Sequence, residues 1–270
     1  FLTERRIQRT LRFLTHSGWI YWNPSLFDSR VIIDQRWALM RVYAALDRRA
    51  TSSAYKQLVA HQGRFTFANL QEWCWRHEVP DKDDQQLILS FMTSVGVCFP
   101  LSGRYGAEDT VYISPTHLPD STAMVTEFDS NYPDPTQDEV SSTQLHRGHW
   151  FAILREICKE YGDDATYAKD ACLIRGSTYR WNREDKPWFA LLRYRLVDEK
   201  KGLGGKILIS VSGAEISQRL PSLKGFVEQF LPGFAGKPSD FHHEFHECPD
   251  DVPTVFFSYA WDPVGKEGYY

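Results

Sequence analysis

Three histidines, two glutamates and a cysteine crowd into His242-His243-Glu244-Phe245-His246-Glu247-Cys248. His242 and His246 stand four apart, so on a helix both imidazoles would face one metal ion, with Glu247 or Cys248 as third ligand. Gly236, Pro238 and Pro249 flank the run and oppose a regular helix, so it reads as a polar linker. Gly202-Leu203-Gly204-Gly205-Lys206 and Gly233-Phe234-Ala235-Gly236-Lys237-Pro238 share glycine and lysine with phosphate loops but lack the G-x-x-x-x-G-K-[ST] spacing. A strand is expected after the first and Pro238 ends the second, so neither supplies the helix N-terminus that a phosphate needs. The acids Asp163-Asp164 follow Gly162 and suit a turn. No G-x-S-x-G or Cys/His signature is present, and Cys74, Cys98, Cys158, Cys172 and Cys248 lack C-x-x-C spacing, as reduced thiols would. The expectation is a non-enzymatic chain with no catalytic, cofactor-binding or metal-binding residues.

The 270 residues carry 31 Lys plus Arg against 35 Asp plus Glu, a formal charge of -4 that gives no global pull toward nucleic acid or an anionic membrane. No apolar run approaches the roughly 20 residues that span a bilayer, and no apolar leader is seen, so a cytoplasmic location is expected. Nine Trp and 14% aromatics suggest large packed faces or interfaces. Phe1 to Thr15 already has helical periodicity, and the chain stops soon after the apolar run Val255-Phe256-Phe257, which is the pattern of a piece of a larger protein.

The elements expected to position any function fall into two units. After the first helix, Trp19–Trp22 and Arg30–Asp34 read as short strands, and Asp34 caps a helix over Gln35–Arg49. Tyr55–Val59 is helix or strand. Thr66 opens a helix through His77, and Asp81, Asp83 and Asp84 start another through Met92. Strands at Val95–Phe99 and Val111–Ile113 around a Gly-rich turn complete a helix, helix, two-stranded wing pattern. The helix Phe67–His77 displays Asn69, Gln71, Glu72, Arg76 and His77, and the earlier helix adds Arg41, Arg48 and Arg49. That is too little positive charge for several phosphates, so a protein-binding winged helix fits better than a DNA reader. Asp129–Ser142 reads as a loop between domains. A helix at Gln144–Tyr161, strands at Ala171–Trp181, Trp188–Val197 and Lys206–Ser212, and a helix at Ile216–Leu231 form a small α+β unit.

Several stretches resemble the COR domain, the segment that follows the Roc GTPase in Roco proteins. Phe13-Leu14-Thr15-His16-Ser17-Gly18-Trp19-Ile20-Tyr21-Trp22 is similar to the family's "fLhelGvilyf", and Val31-Ile32-Ile33-Asp34-Gln35-Arg36-Trp37 to its "viLdpeWl". Val42–Asp47, Gly63–Thr66 and Leu89–Met92 follow in order, and Val111–Pro119 resembles its closing "yiiPelLp". Related winged-helix modules also occur beside other signalling NTPases. The second unit resembles the COR-B half more loosely: Tyr167–Leu173 stands where "yWrxGvvL" is common, with Ala168 and Ala171 replacing its Trp and Gly. Thr254-Val255-Phe256-Phe257-Ser258-Tyr259-Ala260-Trp261-Asp262 resembles the first strand and loop of a TIR domain.

These resemblances imply an α+β chain with a winged-helix-like COR-A subdomain over 1–120, a small α+β COR-B subdomain over 121–231, a linker over 232–253 and a truncated TIR start over 254–270. They imply a non-catalytic signalling module coupling an upstream Roc-type GTPase to a TIR effector, the pose of its two halves differing between nucleotide states. COR-B is expected to mediate homodimerisation through Trp150, Leu154 and Trp188. GTP with Mg would belong to the adjacent GTPase, and NAD to a complete TIR domain. The alternatives are a piece of a NAD-cleaving TIR effector whose catalytic residues lie beyond this chain, and a nucleic-acid-binding winged-helix regulator, which the charge balance opposes.

Overall fold

The structure, a computed structural model, describes residues 4–23, 30–46, 52–75, 79, 81–101, 110–132, 134–178, 186–198 and 203–231. The chain is mixed α+β. Its first half is mostly helical: α1 (Glu4–His16), α2 (Gln35–Ala45), α3 (Ser53–Ala60), α4 (Phe67–Leu70), a π-helical turn (Gln71–Trp75) and α5 (Lys82–Ser94). Side chains close the helix starts as the sequence predicts: Asp34 Oδ1 accepts from Trp37 N at 2.9 Å, and Asp81 Oδ1 from Asp83 N at 2.7 Å. Thr66 and Asn69 form a reciprocal capping box on α4. Leu58, Phe65, Leu70, Trp75, Ile88 and Met92 fill the core between these helices.

Three two-residue strands edge this half: β1 (Arg64–Phe65), β2 (Phe99–Pro100) and β3 (Tyr112–Ile113), in the antiparallel order β1-β3-β2. The expected wing strands are therefore shorter than their apolar runs and gain a third partner. The expected strands at Trp19–Trp22 and Arg30–Asp34 reduce to one bridge, Tyr21↔Ile32, too short to carry a ladder.

The second half holds α6 (Thr122–Asn131), β4 (Thr136–Ser142), α7 (Arg147–Tyr161), β5 (Ala165–Tyr167), β6 (Ala171–Thr178), β7 (Lys186–Asp198), β8 (Leu203–Gly213) and α8 (Ile216–Glu228). Its five strands form one antiparallel sheet, β4-β8-β7-β6-β5. The loop expected over Asp129–Ser142 is corrected: its start ends α6 and its end is β4, paired with β8 from Thr136↔Val211 to Ser142↔Gly205. β4 is an edge strand that buries only Val140, so its polar composition hid it.

The sheet is covered on both faces. α7 and α8 pack on the face of Ala190, Leu192, Ile207 and Ile209. α6 places Met124 and Phe128 over Ala171, Leu173 and Leu191 on the other. The α7 core also contains Phe99, Leu101, Ile113 and Leu118 from the first half. Cys158 on α7 seals that junction, its thiol donating to Leu101 O at 3.1 Å. The two halves thus share one apolar core, and all the described residues fall within one unit, Phe1–Phe234.

Candidate interaction surface

α1 sets Ile7, Leu11 and Leu14 on one stripe, with Arg5, Arg9 and Arg12 on the opposite side. Such a helix is built to bury its apolar stripe, yet no residue of α1 is buried. The helix closes on Gly18 at φ 74°, where Gly18 N bonds to Thr15 O and Trp19 N to Leu14 O, a turn that a side chain at Gly18 would strain. That turn projects Trp19 outward, 74% exposed. Gln35 Nε2 donates to Gly18 O at 2.9 Å, tying the turn to the start of α2.

α2 is apolar on more than one side. Ala38, Val42 and Ala45 enter the core, whereas Met40 and Tyr43 stay exposed on the outer side, preceded by Ile33 at 77% exposure. A helix apolar around most of its circumference normally has partners on both sides. Among the described residues, six exposed large apolar side chains fall within the segment 7–43, Ile7, Phe13, Trp19, Ile33, Met40 and Tyr43, against three valines later in the chain. Fully covering a side chain of this size is worth about 1.5–3 kcal/mol, so a partner on this surface has ample apolar area to use.

The residues expected at a dimer contact lie elsewhere and face inward. Trp150 and Leu154 are completely buried and Trp188 nearly so, which corrects their assignment as interface residues. Trp150 stacks on Tyr194, ring centroids 6.0 Å apart and planes within 10°, and its Nε1 donates to Lys169 O at 2.9 Å. Trp188 lies against Gly176, with the Arg219 guanidinium 5.0 Å above its ring and Tyr161 meeting it edge-on. Burial, reinforced by neighbouring Glu160, pushes the Tyr161 hydroxyl up to about 12. The signal that marks these residues as core was in the sequence: Trp150 keeps helical phase with Ile153, Leu154 and Ile157. Helical spacing reads Trp37, Met40, Val42, Tyr43 and Leu46 as one apolar face, whereas in the structure Met40 and Tyr43 are exposed.

Two of the polar residues considered for nucleic acid, Asn69 and Gln71, are used internally. Asn69 Oδ1 accepts from Thr66 N at 2.8 Å, and Gln71 Nε2 donates to Gln85 Oε1 at 2.6 Å. Arg48, Arg49, Arg76 and His77 lie outside the described residues, as do the His242–Cys248 run and the Thr254–Asp262 stretch. Asp163 and Asp164 sit exposed in the 3-10 turn Gly162–Asp164, while Gly204, Gly205 and Lys206 are strand residues of β8. Among the described residues, no three His, Cys, Asp or Glu side chains converge on a metal position, and no helix is long and apolar enough to cross a membrane.

Residues 1–118 match the COR-A domain, described as C-terminal of Roc. The match contains the whole exposed apolar surface of α1, Trp19, Ile33 and α2. It ends at Leu118, where the first half enters the core of the second. No curated protein matches the chain.

Proposed function

We propose that this chain is the COR module of a Roco-type signalling protein, non-catalytic in itself, which seats a Roc-type GTPase on the exposed apolar surface of COR-A. The observation that carries this reading is α1, strongly amphipathic yet without a buried residue, beside an α2 that exposes Met40 and Tyr43. The order of helices and short antiparallel strands in COR-A supports the winged-helix reading of that half. Because Phe99, Leu101, Ile113 and Leu118 belong to the core around α7, the two halves are best regarded as one lever, with the moving boundary between the module and the GTPase rather than inside the module.

Homodimerisation through the second half remains part of this reading, with its contact moved off the core tryptophans. The outer sides of α7 and α8 offer an open groove lined by Glu160, Tyr161, Pro221 and Phe226. The continuation into a TIR effector rests on Thr254–Asp262. A cytoplasmic location suits a GTPase-coupled module.

Capture of the Roc-type GTPase domain by the chain tests the reading. The pair Trp19→Glu and Ile33→Glu should weaken capture about tenfold or more, as the loss of two apolar anchors does. Unchanged capture with both charges in place overturns it. Light scattering across a concentration series tests the dimer, which Phe226→Glu should dissociate.

A further inference from the structure

Part of the α6-side sheet face is open among the described residues, with Glu139, Arg195 and Val197 exposed on it. α6 covers Leu173 and Leu191, and beyond it the same face runs through Arg193, Arg195 and Val197 on β7, Lys206 and Leu208 on β8, and Glu139 on β4. Strand spacing and the two-residue pleat make this an open area of about 10 by 14 Å. Val197 is 65% exposed at its end.

The charges here break a local rule. Arg195 stands directly opposite Lys206 across the β7–β8 ladder, and like charges in that position destabilise a sheet. Lys206 has a carboxylate to answer it, with Nζ 3.0 Å from Glu139 Oε2. Among the described residues no ion pair or hydrogen bond holds Arg193 or Arg195, and Arg193 Nε is buried without an acceptor. Three cations against one carboxylate also invert the sign of a chain whose formal charge is -4. Glu139 answers Lys206 alone; among the described residues Arg195 has no such partner, and a local rule broken in this way marks a functional surface.

We propose that this face docks an acidic polypeptide segment, with carboxylates placed to meet Arg193 and Arg195 and small apolar side chains set on Val197 and Leu208. Charge selects this occupant over two others. A second copy presenting the same face would set arginines against arginines, since an isologous contact repeats one patch on both subunits. Nucleic acid would meet too few cations, with Glu139 among them and no aromatic platform for bases. An acidic polypeptide offsets the Arg195–Lys206 repulsion and covers the valine together.

The experiment is fluorescence anisotropy on the 270-residue chain with three labelled probes: a short peptide of glutamate, alanine and valine, its lysine counterpart, and a short DNA duplex. The acidic peptide should bind, weaken with salt and lose about tenfold in affinity in Arg195→Glu, while Arg195→Lys retains most of it. Arg9→Glu, on the basic side of α1, should leave binding unchanged. Arg195→Glu should also melt no lower than the parent, because it replaces a like-charge cross-strand pair with an opposite one, so weaker binding cannot come from misfolding. The proposal is overturned if the acidic peptide fails to bind, if Arg9→Glu weakens it as much as Arg195→Glu, or if the duplex binds more tightly than the peptide.

Discussion

Gly176→Ala separates a core role for Trp188 from an interface role. Gly176 on β6 pairs with Trp188 on β7, and a methyl group built on it would lie 2.3 Å from Cε2 and 2.4 Å from Cζ2 and Nε1 of the indole. Ordinary contacts begin about 1 Å farther out, so either the indole or the strand must move. The indole has little room, with the Arg219 guanidinium 5.0 Å over its ring and Tyr161 on its edge. Overpacking of this kind costs about 1–3 kcal/mol. With a urea slope near 2 kcal/mol/M, the unfolding midpoint should fall by about 0.5–1.5 M. Trp188→Ala alone removes a large buried ring and should cost about 3–5 kcal/mol. In the double variant the methyl enters the vacated space, so the two penalties should add to clearly less than their sum, the mark of direct contact. Urea unfolding of all four proteins supplies the cycle, and light scattering supplies the mass. Strict additivity, or a change of mass in Trp188→Ala without loss of stability, would refute the packing argument.

The start of α7 should respond to acid. His146 Nδ1 accepts from Gly148 N at 3.0 Å and His149 Nδ1 accepts from His146 N at 3.3 Å, with the rings 3.9 Å apart, so both caps require unprotonated Nδ1 atoms. Burial holds the His146 pKa below its usual 6.5, so the unfolded chain takes up this proton first. Stability from this group is present above 6.5 and is lost as pH falls below it, so the melting temperature should drop as the solution is acidified below about 6.5, and less in His146→Ser, which keeps a capping oxygen. The thiols should divide by burial: it raises the pKa of Cys98 and Cys172 and lifts Cys158 to about 12. At about pH 8 an alkylating reagent should modify the half-buried Cys74 before these three, as mass spectrometry of the native chain will show.

What the sequence revealed depended on how many side chains each element commits to the core. α5, α7 and the central strands β6 to β8 were legible because several apolar residues in each keep helical or alternating phase. β4 was not, since only Val140 faces inward and its place is set by the β8 backbone. α6 was missed beside a Pro- and Asp-rich stretch, although Met124 and Phe128 have helical spacing. The interaction residues were misread for a different reason. Periodicity shows that a face is apolar but not what covers it: Trp150 is covered by Tyr194 of its own chain, while the stripe of Ile7, Leu11 and Leu14 leaves Ile7 exposed and the two leucines only half-buried. The pairing of Arg195 with Lys206 could be seen only once the β7–β8 register was known.

The central proposal is that the exposed apolar side chains of α1 and α2 seat the GTPase. Hydrogen exchange over Glu4–His16 and Gln35–Ala45, compared between this chain alone and the chain with the Roc-type GTPase domain bound, tests that point. α1 should exchange fast in the isolated chain, with marked slowing across α1 and the outer turns of α2 in the complex and α7 unchanged. Equal exchange of α1 in both states, or protection confined to the second half, would contradict that proposal.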